Sequence, residues 1–143
     1  MDFQAVIFSL GQEEYGIPIE KVREITQMTE VCPVPQAPEY IQGLIKIRGQ
    51  AIPLVNLQKR FGVKSEKECE FALIVEIDGN LIGLAVEEVK EVRDLENVSP
   101  PPPLIKVPFI SGIVNFSDRI ILKISPDRML EDKELTELNA LVE

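Results

Sequence analysis

The sequence predicts a mostly β protein: two small β-barrels side by side, related by a pseudo-twofold axis. Three observations predict it. The first is an internal repeat. "YGIPIEKVREI" (15–25) lies over "IGLAVEEVKEV" (82–92) at an offset of 67, "IQGLIKI" (41–47) over "ISGIVNF" (110–116) at 69, and "IPLVNLQKRF" (52–61) over "IILKISPDRM" (120–129) at 68. Three blocks in one order at nearly constant offset mark the duplication of a unit of about 65 residues. The second is that each unit reads as short, apolar, β-branched runs bounded by turn residues. The third is economy of length. About five short strands cannot make a broad open sheet, but they can close into a barrel, which removes most exposed edges.

The elements follow in chain order. "QAVIFSL" (4–10) and "YGIPI" (15–19) form a hairpin across "GQEE" (11–14). "IEKVREI" (19–25) has Ile19, Val22 and Ile25 at helical spacing but is short, which suggests a turn of helix leading into a strand. "PVPQAP" (33–38) is a connector, and "IPLV" (52–55) a strand. Asn56 can cap the short helix "LQKRF" (57–61), and Gly62 can end it. The second unit repeats the pattern. "FALIVEI" (71–77), an Asp-Gly turn at 78–80 and "LIGLAV" (81–86) make a second hairpin, because that turn needs positive φ. After the connector "PPPPLIKVP" (100–108) comes "RIILKI" (119–124). Ser125 can then cap, with Pro126 at the first helical position. Leu135, Leu138, Leu141 and Val142 give an amphipathic C-terminal helix, placed at about 126–142. Subdomain 1 is expected over about 3–66 and subdomain 2 over about 70–130, within a single domain spanning 1–143. The boundary near 63–70 is approximate because terminal strands can be exchanged between the barrels.

Composition narrows the function. Among 143 residues, 45% are hydrophobic, enough for a core, and the apolar runs are short. They fall far below the roughly 20 residues of a membrane helix. The N-terminus has no signal-peptide pattern, so a cytoplasmic location is expected. Histidine is absent, which removes the commonest general base and zinc ligand. Cys32 and Cys69 have neither metal nor redox spacing and read as reduced thiols. No phosphate-cradling loop is present. The acid pairs Glu13/Glu14 and Glu87/Glu88 read as solvated turn and strand-end residues, and the Pro100–Pro103 run as a stiff spacer. No catalytic set, metal site or cofactor is expected. A small barrel that binds nucleic acid is the alternative class. A net charge of −9 and only 6% aromatics oppose it. The first strands carry apolar residues on both faces, more than one small barrel can bury. The surplus must pack between the barrels or await a partner.

The chain resembles the CheW family of bacterial chemotaxis coupling proteins. The resemblance covers about residues 3–130 and rests on "LGQEEYGIPIEKVREI", "IQGLIKIRGQAIPLVNLQKRFG", "GLAVEEVKEV" and "ISGIVNFSDRIILKISPDRML". The second is the most specific: Gly, four residues, Arg-Gly, then a strand ending in Pro, two aliphatics, Asn and Leu. Where the family usually has Asn-Leu-Arg-Gly, this chain has Lys46-Ile47-Arg48-Gly49, adding a second cation near the turn. The resemblance implies two SH3-like five-stranded barrels and a non-enzymatic adaptor without cofactors. It implies that chemoreceptor tips are coupled to the regulatory domain of the histidine kinase CheA in membrane-associated arrays. Val6, Ile19, Val22 and Glu24 would then meet the kinase. Gly43, Arg48, Gly49, Gly83 and Val92 would meet the receptor, at a groove between the barrels. The protein would be a monomer when free. A CheW-like regulatory domain of a larger signalling protein would look similar; the length and the start at Met1 favour a free-standing form. For Arg48 two roles stay open together: a partner contact, and an internal strut that fixes the inter-barrel angle.

Overall fold

A computed structural model describes residues 3–141. Paired hairpins carry most of the chain. β1 (Phe3–Leu10) and β2 (Glu13–Pro18) lead through a 3₁₀ turn, Ile19–Lys21, into β3 (Val22–Gln27) and the short β4 (Val31–Cys32). β5 (Ile41–Ile47), β6 (Gln50–Asn56) and α1 (Leu57–Phe61) follow. The second half holds β7 (Phe71–Ile77), β8 (Asn80–Val86), β9 (Glu88–Leu95), β10 (Ile110–Asn115) and β11 (Ile120–Ile124). A 3₁₀ turn at Pro126–Arg128 and α2 (Asp132–Ala140) complete the described chain.

Local chemistry explains several boundaries. Asp78 and Gly79, at φ 50° and 80°, make the tight turn that the sequence predicts between β7 and β8. The Asn56 side chain accepts a hydrogen bond from the Lys59 amide, and Gly62 closes α1 in the left-handed conformation. Ser125 makes no side-chain cap, although Pro126 does open the 3₁₀ turn. The expected helix over 126–142 is broken in two. Met129 and Leu130 turn into the core, and Glu131 starts α2 with a capping box to Glu134. Val142 lies outside the described residues.

The two sheets run β10-β11-β2-β1-β9 and β3-β7-β8-β6-β5-β4. They do not follow the half-chain units 3–66 and 70–130. The β1–β2 hairpin joins the second-half strands β9, β10 and β11, while β7–β8 joins the first-half strands β3 to β6. One sheet is therefore drawn from residues 22–86. The other brackets it in sequence, with strands from 3–18 and 88–124.

The repeat survives in every ladder. In one sheet Val6 lies opposite Val92, Ile7 opposite Glu91 and Phe8 opposite Val89. In the other, Leu73 lies opposite Ile25, Ile74 opposite Glu24 and Val75 opposite Val22. These are the same pairs at an offset of 67, and the bulges fall on the matching residues Lys90 and Arg23. β5–β6 maps onto β10–β11 at an offset of 69, with matching bulges at Gln42 and Ser111. The ladder thus sets the third sequence block at 69 rather than 68. Cys32 opposite Leu44 matches Ser99 opposite Ile113, so the two extra residues sit in the second proline-rich connector.

The hairpin exchange also explains why the first strands are apolar on both faces. Ala5 and Ile7 pack inside their own sheet with Leu95, Val114 and Ile121. Val6, Phe8 and Leu10 point the other way, into a core shared with Leu73, Val75 and Ile77 of the opposite sheet. The surplus apolar surface of β1, β2, β7 and β8 is inter-sheet packing. Each buried aliphatic side chain contributes roughly 1.5–3 kcal/mol there.

Leu135 and Leu138 dock α2 on this shared core. Arg60 Nη1 and Nη2 each donate to the Glu134 carboxylate at 2.8 Å, and Arg60 Nε donates to the Met129 carbonyl at 3.0 Å. Burial alone would push the Glu134 carboxyl up. The Glu131 amide and the Arg60 guanidinium outweigh it and hold the group below its ordinary value. The folded value lies below the unfolded one. Stabilisation is therefore complete above about pH 4.3, the ordinary glutamate value, and is lost as pH falls through the folded value. Thermal stability should accordingly drop on acidification below about pH 4, and Glu134→Gln should show a shallower drop. Melts followed by circular dichroism across the acid range test this; equal slopes for both proteins would refute it.

Candidate protein-interaction surface

Among the described residues no three His, Cys, Asp or Glu side chains cluster in a way that could hold a metal ion. Burial, reinforced by the neighbouring Glu87 carboxylate, pushes the Cys69 thiol up to about 12, so it remains a packed, unreactive thiol. What the surface offers instead is apolar strand edge.

The face of β1–β2 and β7–β8 that meets in the shared core continues onto the two edge strands. Residues directly opposite one another in a ladder point to the same side. Val92 on β9 stands opposite Val6, and Ile25 on β3 stands opposite Leu73. Val6 and Leu73 are fully buried, whereas Val92 is 45% and Ile25 41% exposed. Val22 and Val89, at the matching earlier positions, are half-buried against the shared core. Ile19 adds further exposed apolar surface at the 3₁₀ turn before β3. Each outer strand thus carries the core's apolar face out to solvent.

The expected site residues separate into two sets. Ile19, Val22, Glu24, Arg48 and Val92 present surface. Val6 does not: it is a core residue with no exposed area, so its side chain cannot touch a partner. Gly83 is likewise buried, in the centre of β8, where a Cβ would come within 2.9 Å of Leu54 Cδ1. Gly43 is required by close approach. A Cβ there would lie 2.4 Å from the Cys32 carbonyl oxygen, where β4 pairs with β5. Gly49 has open space around it and φ 81°. Sequence reasoning passed over Ile25 as a contact residue, although the repeat sets it against Val92 at the same offset of 67.

Arg48 is itself a turn residue, at φ 51° just ahead of Gly49. Ile47 pairs with Gln50, so Arg48 and Gly49 are the two central residues of the β5–β6 hairpin, a type I′ turn with positive φ at both. An arginine at its first central position is costly, because such turns select Asn, Asp or Gly. The Arg48 side chain is 84% exposed, and its Nη2 donates to Glu24 Oε1 at 2.9 Å. Glu24 lies on β3, at the far edge of the same sheet, so the sheet is curled enough to bring its edge strand to the β5–β6 turn. The pair lies within one sheet and does not brace one sheet against the other. Exposed pairs of this kind contribute at most about 1 kcal/mol. Arg48→Asn should therefore leave thermal stability unchanged or raise it by up to about 1 kcal/mol. A fall of more than that on a denaturant melt would make the side chain a structural strut after all.

Comparison with known proteins adds to this geometry. Residues 4–134 match the family model described as "CheW-like domain". The chain is 31% identical over 147 residues to "Chemotaxis protein CheW" of Treponema pallidum (strain Nichols), covering 95% of this chain and 86% of that protein. It is 27% identical to "Chemotaxis protein CheW" of Klebsiella aerogenes, covering 91% and 82%. The crystal structure of the scaffolding protein TtCheW from Thermoanaerobacter tengcongensis superposes with a TM-score of 0.83 at 35% identity, covering 92% of this chain and 94% of that one.

Proposed function

We propose, since this chain belongs to the CheW-like domain family and is a non-enzymatic adaptor of chemotaxis, that it joins the regulatory domain of a CheA-type histidine kinase to chemoreceptor tips. The observation that carries this reading is the apolar face that leaves the shared core and runs onto β3 and β9 uncovered. A protein that carries apolar strand edge at its surface is built to be completed by other proteins.

The kinase would pack against Ile19 and Val22, with Ile25 added from the same strand. The receptor would engage the Arg48–Gly49 turn and, on the other sheet, Val92. Gly43, Gly83 and Val6 would serve these contacts only by holding the backbone beneath them. The Glu24–Arg48 pair joins the two contact regions, so a partner that takes the Arg48 guanidinium frees the Glu24 carboxylate beside Val22. The two partners would thereby sense one another through one ion pair. No described helix is long and apolar enough to cross a membrane. On this reading the receptor supplies the membrane attachment, and the adaptor works at arrays on the cytoplasmic side.

Ile19→Asp tests the kinase face. The side chain is more than one-third exposed, so a carboxylate there stays hydrated and the fold survives. Buried under a partner, the same carboxylate costs several kcal/mol by order of magnitude. Affinity for the kinase regulatory domain, read by calorimetry, should fall by more than about tenfold at an unchanged melting temperature. Wild-type affinity would remove Ile19 from the interface.

A further inference from the structure

Each crossing of the chain between the two sheets carries a glutamate, and only one of the two is buried. The strands pass from one sheet to the other at residues 19–21 and again at Glu87, the single residue between β8 and β9. The repeat offset of 67 sets Glu20 on Glu87. Glu20 is exposed. Glu87, which its place at a strand end marks as a solvated acid, is only 4% exposed.

Glu87 Oε2 accepts from the Gly11 amide at 2.8 Å and from Gln58 Nε2. Burial alone would push this carboxyl up. The two donors outweigh it and hold the group below its ordinary value, so it is ionised at neutral pH. Both donors lead to the linker that follows α1. Gln58 Nε2 also donates to the Lys67 carbonyl at 2.8 Å. Gly11 lies against Val63, where a Cβ would come within 3.1 Å of Val63 Cγ1. Between Val63 and Cys69 the linker reads "KSEKE", without an apolar side chain to hold it down. Its backbone is fixed at the ends, where the Val63 amide donates to the Gln58 carbonyl at 2.8 Å and the Glu70 amide to the Val86 carbonyl at 3.0 Å. The other carboxylate oxygen, Glu87 Oε1, is buried without a hydrogen-bond partner. A buried, unpartnered oxygen favours hydration and so opposes the bonds that Oε2 makes.

We infer that residues 63–70 form a strap that Glu87 holds shut over the junction of the two sheets, and that the strap opens as one unit while the strands beneath it stay folded. Glu87 is a positioning residue, acting on the strap through Gln58 and Gly11. Closed, Oε2 has two donors and Oε1 has none. Open, both oxygens and both donors are hydrated. The two states differ by few bonds and little apolar surface, which places the strap at the low end of local stability. The half-buried Cys69 thiol rides on the strap and reports its position.

Amide hydrogen exchange, read residue by residue by NMR on the full chain, tests this. In the parent protein the Gly11, Val63 and Glu70 amides should share one level of protection, below that of the β7–β8 ladder. Glu87→Ala removes the acceptor, and the two stranded donors then reach water only when the strap lifts. Exchange at all three amides should rise together by more than about tenfold, with the β7–β8 ladder unchanged. Thiol labelling of Cys69, in a Cys32→Ser background, should rise by the same factor. Glu87→Gln returns an acceptor oxygen and should recover part of the protection, whereas Glu20→Gln should change nothing. Val63 and Glu70 make no bond to Glu87, so a rise confined to Gly11 would reduce the carboxylate to a local partner and overturn the strap. An equal rise throughout the β7–β8 ladder would make Glu87 a residue of global stability, and no rise at all would mean that it holds nothing shut; each overturns the inference. Should Glu87→Ala fail to fold, Gln58→Ala cuts the strap's side of the clamp, and the joint rise at Val63 and Glu70 is required there instead.

Discussion

Val6→Asp is expected to prevent folding. Val6 has no exposed area and stands between Ile17 on β2 and Val92 on β9, pointing into the shared core with Phe8, Leu10, Leu73 and Val75. A carboxylate there has no cation or amide within the apolar cluster to meet it. The alternatives are a buried neutral acid with unpaired oxygens or an opened inter-sheet core. Either costs several kcal/mol, and a domain of this size has only about 5–15 kcal/mol in hand. The far-ultraviolet strand signal and the cooperative melt should both be lost. Val6→Ala, which leaves a small cavity, should retain the fold with a loss of about 1–3 kcal/mol. The contrast with Ile19→Asp is diagnostic, since each change puts an acid in place of an aliphatic side chain, one fully buried and the other more than one-third exposed. A Val6→Asp protein with a native melt and a selective loss of kinase binding would return Val6 to the surface and contradict the shared core.

Gly43→Ala is expected to cost about 2–4 kcal/mol and to release β4. The added Cβ would sit 2.4 Å from the Cys32 carbonyl oxygen and 2.8 Å from Val31 Cγ1. The carbonyl is backbone and cannot rotate away as a side chain could. Gly43 also adopts φ 152°, a region that residues with a Cβ avoid. Two controls rank below it. At Gly112, the twofold counterpart, the nearest atom is Val98 Cγ1 at 2.6 Å, a side chain that can turn aside, so Gly112→Ala should be milder. At Gly49 nothing lies within 4 Å, and only φ 81° is strained, at roughly 1–2 kcal/mol. Urea melts of the three variants give the order directly. A Gly43→Ala protein as stable as the parent would mean that β4 does not pair closely with β5 beside Gly43. Lost receptor coupling in Gly43→Ala therefore reports the shape of the edge, whereas the same loss in Arg48→Asn, at full stability, reports a contact.

Local features were the legible part. The Asp78–Gly79 turn, the Asn56 cap, the Gly62 stop and the turn of helix before β3 each follow from a few neighbouring residues whose chemistry admits little else. The duplication was legible too, because it preserves side chains in register. Partner choice between strands was not. A hairpin such as β1–β2 has the same turn and the same alternation whether it joins its own unit or the other one. Long-range pairing leaves no local trace. Val6 was misassigned for the same reason. When both faces of a strand are apolar, period-two reasoning cannot say which face is inside and which is between the sheets. Arg48 shows a different limit. The sequence marked Gly49 as the turn residue, but the turn needs two positive φ values, and the first falls on an arginine that propensity would never place there. The break at Met129 and Leu130 was hidden because apolar residues there fit a continuous helix as well as a chain diving into the core.

The nesting of one sheet inside the sequence of the other has a consequence for how the protein is made. Residues 22–86 contain every strand of one sheet, so it can close as soon as β8 has left the ribosome. The β1–β2 hairpin emerges before any strand of that sheet, yet its neighbours β9, β10 and β11 begin at Glu88, about 70 residues later. At about 5–20 residues per second the hairpin waits for roughly 4–14 s. During that time its apolar faces and both strand edges are unpaired, the condition under which nascent chains aggregate or attract chaperones. A hairpin made before the inner sheet is thus enclosed after it, and the inner sheet, finished early, offers the surface on which the hairpin can be held until β9, β10 and β11 arrive.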